Sequence, residues 1–405
     1  LGTNIYGIGL VLALFLLGIA IGSFLLSFFV ERIKNQSLFF VWLLFFSGVS
    51  LLVSSLLLNY APQASITLQA YTRGLMSLLV SKTLVVTAIL FLPTCLFGML
   101  FPLTITLLTP SAKQAPGVLG FAYAVNTMGA ILGSYLTGIV LIPILGSSAT
   151  LMISLLMGCL LLMLLVFSLE KRRVHQIALA TCVFAFAIVS IRFTSLDYKN
   201  LIKSAYQQSG YTSLPQGPSV DNYLKAALKP YSANHEDFKL IIEGETAVIS
   251  LSHDPADGER YQDYFRLKTS GLNESVYNMQ DLQELPKYEA LIAFLPYLFS
   301  KAPKQAFVVG YGGGFTVDFL TDTDLKKVNV VELEKGILKA ADYIYKGNNP
   351  LLERPNLNLK VEDARYVLAA KLNGPQDIIV SQPSHSWLAG AANLFTQEFF
   401  EVVKE

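Results

Sequence analysis

Ala306-Phe307-Val308-Val309-Gly310-Tyr311-Gly312-Gly313-Gly314 is the stretch that decides the fold. Its four opening apolar residues are too few for a helix and read as a strand buried on both faces. The strand runs directly into glycines, and a helical pattern follows. Such a turn lets a ligand approach the backbone and the helix N-terminus, although a tight packing turn would also use glycine. Three further strands are predicted downstream. Residues 328–331 end in Glu332, where an acidic side chain about 20 residues past the glycines can accept ribose hydroxyls. Residues 357–361 end in Glu362-Asp363-Ala364-Arg365, and 377–380 end in Ser381-Gln382-Pro383-Ser384-His385. All four ends fall on one edge of a parallel sheet, the edge at which open α/β sheets bind ligands. Nucleoside binding is the expectation, with a ligand-free structural fold as the alternative.

Upstream, residues 288–299 read as a helix. Residues 238–242, 246–251 and 264–267 alternate in polarity and predict a small antiparallel sheet, with a turn at Pro255-Ala256-Asp257-Gly258. Residues 195–237 are polar, contain Pro215, Gly217 and Pro218, and read as a linker with one short helix at 220–228.

The chain of 405 residues is 53% hydrophobic, but that average mixes two unlike halves. A spanning helix needs roughly 20 apolar residues. Residues 6–30, 38–58, 84–108, 119–141 and 150–169 meet that length, and 177–193 is a shorter sixth. Residues 61–82 carry Gln63, Gln69 and Arg73 and read as one interfacial helix. With six spans, Arg32, Lys34, Lys113, Lys171, Arg172 and Arg173 share the cytoplasmic side, which puts the domain after Arg192 outside the cytoplasm. The span centres contain no ionisable residue, which weakens transport. They do contain two GxxxG pairs, Gly18 with Gly22 and Gly129 with Gly133, and these read as helix packing. Asn126 reads as an interhelical hydrogen bond. Cys95, Cys159 and Cys182 lie in apolar segments without metal-ligand spacing, so no metal site is expected. A net charge of +1 offers nothing to nucleic acid.

The predicted organisation is a transmembrane domain at 1–193 with about six spans, a linker at 194–237, a small β-rich subdomain and helix at 238–300, and a Rossmann-type domain at 301–405. The chain starts at Leu1 inside an apolar run and stops at Glu405 inside an amphipathic pattern, so both ends are expected to continue, and the last domain is expected to be truncated.

Taken together, these residues resemble a family of bacterial membrane proteins in which a major-facilitator-like transmembrane segment is fused to a spermidine-synthase-like domain. In the first half the resemblance rests on Gly18-Ile19-Ala20-Ile21-Gly22-Ser23, Leu92-Pro93, Phe97-Gly98, Phe101-Pro102, and Tyr123-Ala124-Val125-Asn126-Thr127 through Pro143 to Gly146. In the second it rests on Glu243-Gly244-Glu245-Thr246-Ala247, the glycine loop, Val331-Glu332, Asp363-Ala364-Arg365, and Pro383-Ser384 with Trp387, Ala389-Gly390 and Asn393-Leu394-Phe395-Thr396. The resemblance implies an α/β methyltransferase-like sheet. It also implies an S-adenosylmethionine-like nucleoside, with Gly310, Gly312 and Gly314 at its amino-acid portion, Glu332 on the ribose and Asp363 on the adenine amino group. In working spermidine synthases the fourth strand ends in an aspartate that deprotonates the attacking amine. Here that position is Ser381, and the neighbouring Gln382 is neutral too. His385 is the remaining candidate base. Tyr288 and Glu289 lie in the region that grips polyamine.

Three functions follow. First is a membrane-anchored, spermidine-synthase-like module without aminopropyl transfer, a scaffold for a membrane-protein or extracytoplasmic partner in the inner membrane of a bacterium. Second is a polyamine aminopropyltransferase or another S-adenosyl-dependent transferase. Third is a transporter.

Overall fold

The computed structural model describes residues 5–70, 75–109, 111, 113–169, 172–202, 237–254, 263–282, 287–382 and 389–404. The expected helix at 220–228, the turn at 255–258 and His385 lie outside these residues. Two compact units divide the chain, Tyr6–Tyr231, and Ser232–Glu405 with Leu1–Ile5.

The first unit is helical: α1 (Ile5–Ser27), α2 (Gln36–Leu58), α3 (Ala61–Ala70), α4 (Leu75–Leu108), α5 (Ala115–Tyr135), α6 (Ile142–Leu169), α7 (Arg173–Phe193) and the single turn α8 (Tyr198–Leu201). A π-helical turn, Leu136–Leu141, joins α5 to α6. Among the described residues, five runs are long and apolar enough to cross a membrane. One of these, Ala115–Ser168, is 54 residues. At 1.5 Å per residue it would measure about 80 Å, far beyond a hydrocarbon core of about 30 Å. Gly146 breaks it with φ 81° and ψ 162°. That break falls between the stretches expected at 119–141 and 150–169, which remain two helical stretches meeting at a kink, while the rest of the connection between them is helical. The expected interfacial helix at 61–82 is corrected: Leu75–Lys82 form the first turns of α4. Pro93 and Pro102 sit inside a continuous α4.

Helices α1 and α4 meet through glycine. A Cβ on Gly18 would strike Thr94, one on Gly22 the backbone of Cys95, and one on Gly98 the backbone of Ile19. Ser23 Oγ donates to the Gly98 carbonyl at 2.7 Å across the same seam. A second contact joins α2, α6 and α7 around Val41, Leu52, Leu155, Leu162, Val183 and Phe186. Asn126 is not turned onto a neighbour but exposed on α5.

The second unit holds two sheets. Strands β1 (Asp237–Glu243), β2 (Val248–Asp254), β3 (Tyr264–Thr269) and β4 (Leu272–Asn278) pair antiparallel in sequence order. After α9 (Lys287–Phe299) come β5 (Gln305–Val309), α10 (Phe315–Thr321), β6 (Lys327–Glu332), α11 (Lys335–Ile344), β7 (Leu357–Val361), α12 (Ala364–Ala369), β8 (Ile378–Ser381), α13 (Ala389–Ala392) and α14 (Gln397–Lys404). The second sheet is parallel in the order β7-β6-β5-β8. One core serves both sheets: Ile249, Leu251 and Leu267 of the antiparallel sheet join Val308, Val328 and Val330 of the parallel one and Ile337 of α11. Gly336 makes that approach possible, since a Cβ there would press on Ile249 at 2.8 Å.

Candidate functional site

The strand order places the crevice. The chain leaves β5 for β6 on one side, continues to β7, and returns to β8 on the other side of β5. The sheet therefore opens between the carboxyl ends of β5 and β8, the topological switch point at which doubly wound sheets bind ligands. Register fixes what stands there. Val309, the residue before the glycine loop, pairs with Ser381. Ser381 and Gln382 are both exposed. Glu332 pairs with Val361, and Glu362 N donates to the Glu332 carbonyl at 3.0 Å, so Asp363 follows at the next strand end.

The loop itself has left-handed backbone at Gly310 (φ 88°), Gly312 (φ 53°) and Gly314 (φ 81°), conformations costly to any residue with a Cβ. Gly313 is required for a different reason. A Cβ there would collide with the Ser275 side chain of β4, which presses on the loop. Tyr311 points into the core, where Asn349 Nδ2 donates to its hydroxyl at 3.1 Å. Burial pushes the Tyr311 phenol up to about 12.

Glu332 is buried against this loop. Its Oε2 accepts from Tyr311 N at 2.7 Å and Gly312 N at 3.5 Å, and its Oε1 accepts from Glu334 N at 2.8 Å. Burial raises its pKa above the ordinary 4.5, the three amides oppose the rise, and nearby Glu274 adds to it. A carboxylate has about four acceptor directions, so the capacity left for a ribose hydroxyl lies mainly on Oε1. The glycine loop thus already directs two amides at a carboxylate. A phosphate brought to those amides would meet a buried negative charge instead of a vacant cradle. The arrangement suits a nucleoside without phosphate. A sulfonium nucleoside fits these residues: Glu332 would hold the ribose, and the open backbone at Gly310 and Gly312 would admit the amino-acid portion. When bound, such a group supplies an electrophilic carbon beside sulfur.

Asp363 is exposed, and its Oδ1 accepts from Arg365 N at 2.8 Å as the N-cap of α12. A groove of about 300 Å³ begins beside it, lined by Arg365, Tyr366, Ala369, Phe399 and Val402. This groove lies between α12 and α14, and no residue of the glycine loop lines it. Glu289 is buried in α9.

Sequence reasoning missed two supports. Glu334 is buried and accepts from Thr246 N at 3.1 Å, Thr246 Oγ1 at 3.0 Å and Gly336 N at 3.3 Å, which locks the turn after β1 to the strand end beside Glu332. Its trace in the sequence was Gly244, whose Cβ would collide with the Glu334 carboxylate. The second support is β4, which roofs the loop and was not anticipated as a strand. Among the described residues no group of His, Cys, Asp and Glu could hold a metal ion.

No protein-family model matches the chain, and no curated protein matches it. Among solved structures it is similar to a spermidine synthase in complex with the transition-state analogue AdoDATO, at 16% identity and a TM-score of 0.34, over 42% of this chain and 54% of that one. It is also similar to the spermidine synthase from Thermotoga maritima, at 16% identity and a TM-score of 0.33, over 42% and 52%. The chain spans about half the length of these solved structures.

Proposed function

We propose that the chain is a membrane-anchored nucleoside-binding module of spermidine-synthase type that does not itself transfer an aminopropyl group, and that it serves as a binding or scaffold subunit for a partner in a bacterial inner-membrane assembly. The observation that carries this reading is Ser381. It stands at the switch point beside the glycine loop, where a transfer reaction needs a base. A serine hydroxyl cannot deprotonate an ammonium at neutral pH, and Gln382 cannot help it. The binding framework of Gly310, Gly312, Gly314 and Glu332 is retained around that neutral position, with Asp363 at the adjoining strand end.

Membrane anchoring draws support from helices that present apolar side chains outward, including Phe121, Ile139, Ile144, Leu160 and Phe184. The extracytoplasmic placement of the second unit rests on the positions of Arg32, Lys34, Lys113, Arg172 and Arg173. Labelling Ser270→Cys with an impermeant thiol reagent in intact cells tests it, and protection from the reagent would reverse the orientation.

Calorimetry with methylthioadenosine and decarboxylated S-adenosylmethionine, beside an assay of aminopropyl transfer to putrescine, tests the function. The expected result is binding without transfer, with Ser381→Asp raising transfer above background. Transfer by the unaltered protein that is lost in Gly312→Val would overturn the reading in favour of an aminopropyltransferase.

A further inference from the structure

Helix α9 carries a largely exposed apolar stripe, of which Phe294 rests edge-on against Phe319 of α10. Ala293 and Glu289 are buried, and Ile292 and Tyr297 pack onto the core. The other face shows Leu291, Phe294, Leu295, Leu298 and Phe299, the last two 56% and 79% exposed. Their spacing of i, i+3, i+4, i+7 and i+8 makes one continuous strip about 12 Å long. An exposed contiguous strip of large apolar side chains marks an interaction surface.

A charged rim adjoins its C-terminal end. Lys301 and Lys304 follow the helix directly, and Lys304 O accepts from Lys326 N at 2.9 Å and Lys327 N at 3.2 Å, which brings the next strand start alongside. Tyr297 Oη donates to Asp324 Oδ1 at 2.5 Å, pinning the helix end to the same turn. All four lysines are exposed. Two carboxylates share the region: Asp324, held by Tyr297, and Asp377, which accepts from Lys304 N and Gln305 N. Positive charge is therefore in excess where the strip ends.

We propose that α9 and this lysine rim form a lipid-docking surface, with Leu298 and Phe299 entering the headgroup boundary of an anionic bilayer while Lys301, Lys304, Lys326 and Lys327 contact its headgroups. Apolar residues flanked by lysine are the composition that lies in a membrane interface. A protein partner would have to bring a matching acidic rim, whereas anionic headgroups of the bilayer that anchors the chain supply that charge directly. The inference rests on the membrane reading above, which supplies the bilayer. It adds that the nucleoside-binding unit is held flat against lipid by its own surface.

The test uses the full chain with Cys95, Cys159 and Cys182 changed to Ala, reconstituted in nanodiscs of phosphatidylcholine with or without phosphatidylglycerol. An environment-sensitive fluorophore is placed at Leu298→Cys or, as reference, at exposed Leu333→Cys. Spin-labelled lipid should quench the probe at 298 about twofold or more and leave the probe at 333 unaffected. Changing the four lysines to Gln should shift docked molecules toward undocked about fivefold per lysine in anionic discs. A probe at 298 that stays in water while the chain resists carbonate extraction would overturn the docking surface alone. Release by carbonate would overturn the membrane reading with it. Shielding without lipid quenching, accompanied by cross-linking to a second copy, would overturn the proposal in favour of a protein interface.

Discussion

The two units of this molecule use glycine for opposite reasons. In α1, Gly18 and Gly22 have ordinary helical backbone and exist to let α4 approach, so that the missing Cβ is what matters. In the loop after β5, Gly310 and Gly312 have space around them, and the left-handed φ is what matters. The motif alone does not reveal which applies. Gly129 and Gly133 repeat the spacing of Gly18 and Gly22, yet a Cβ on either would meet nothing within 4 Å.

Substitutions separate these roles by size. Gly22→Ala should be the most damaging, about 3 kcal/mol or more, because Cys95 offers backbone and not a flexible side chain to yield. Thermal unfolding of the purified chain in detergent would register it, and an unchanged midpoint would contradict the seam. Gly314→Ala should cost about 2 kcal/mol, combining left-handed strain with a contact of 2.9 Å to the Tyr311 hydroxyl. Gly312→Ala should cost about 1 kcal/mol from strain alone, while lowering nucleoside affinity measured by calorimetry. Gly133→Ala should change stability by less than about 0.5 kcal/mol in detergent, and a larger loss would show that α5 is packed after all.

A smaller effect sharpens the loop side of the comparison. Burial raises the Glu332 pKa, so protonation begins at a higher pH than for an ordinary glutamate. The protonated acid surrenders an acceptor that the loop amides and a ribose hydroxyl both need. Nucleoside affinity should therefore fall on acidification with a midpoint above 4.5, and a midpoint below it would argue against Glu332 as the ribose acceptor. The stability linkage runs the other way: with its folded pKa raised, this carboxyl favours the fold at low pH, and that contribution disappears as pH rises through the folded value.

The parallel strands were legible in the sequence because each is a short apolar run closed by a turn, and β5 to β8 fall within one or two residues of their expected places. Strand β4 was not. Its pairing slips where Leu267 and Lys268 of β3 face Ser275 and Asn273, leaving Glu274 as an extra residue, and such a bulge destroys the alternation by which a half-buried strand is recognised. The separation of 119–141 from 150–169 was legible as well, since Gly146 breaks the helix between them, although Pro143 and the serines after Gly146, which resemble a loop, are helical on either side of that break. At the site, residue types pointed to Glu332 and Ser381 as positions of interest. They could not show that Glu332 spends acceptors on the loop itself, since a hydrogen bond from Tyr311 N depends on backbone direction, which side-chain identity does not encode.

That tether has a thermodynamic consequence for recognition. Gly310 N is held by the Val331 carbonyl, Tyr311 N by Glu332, Gly314 N by the Tyr311 carbonyl, and the Tyr311 ring by Asn349. Fixing a residue's backbone costs about 1–2 kcal/mol of entropy, and here that cost is met when the protein folds. A ligand arriving at the loop has almost no ordering left to impose. Association should proceed as rigid docking, and amide exchange at Gly310, Tyr311 and Gly314 should be slow before the ligand binds and little slower afterwards.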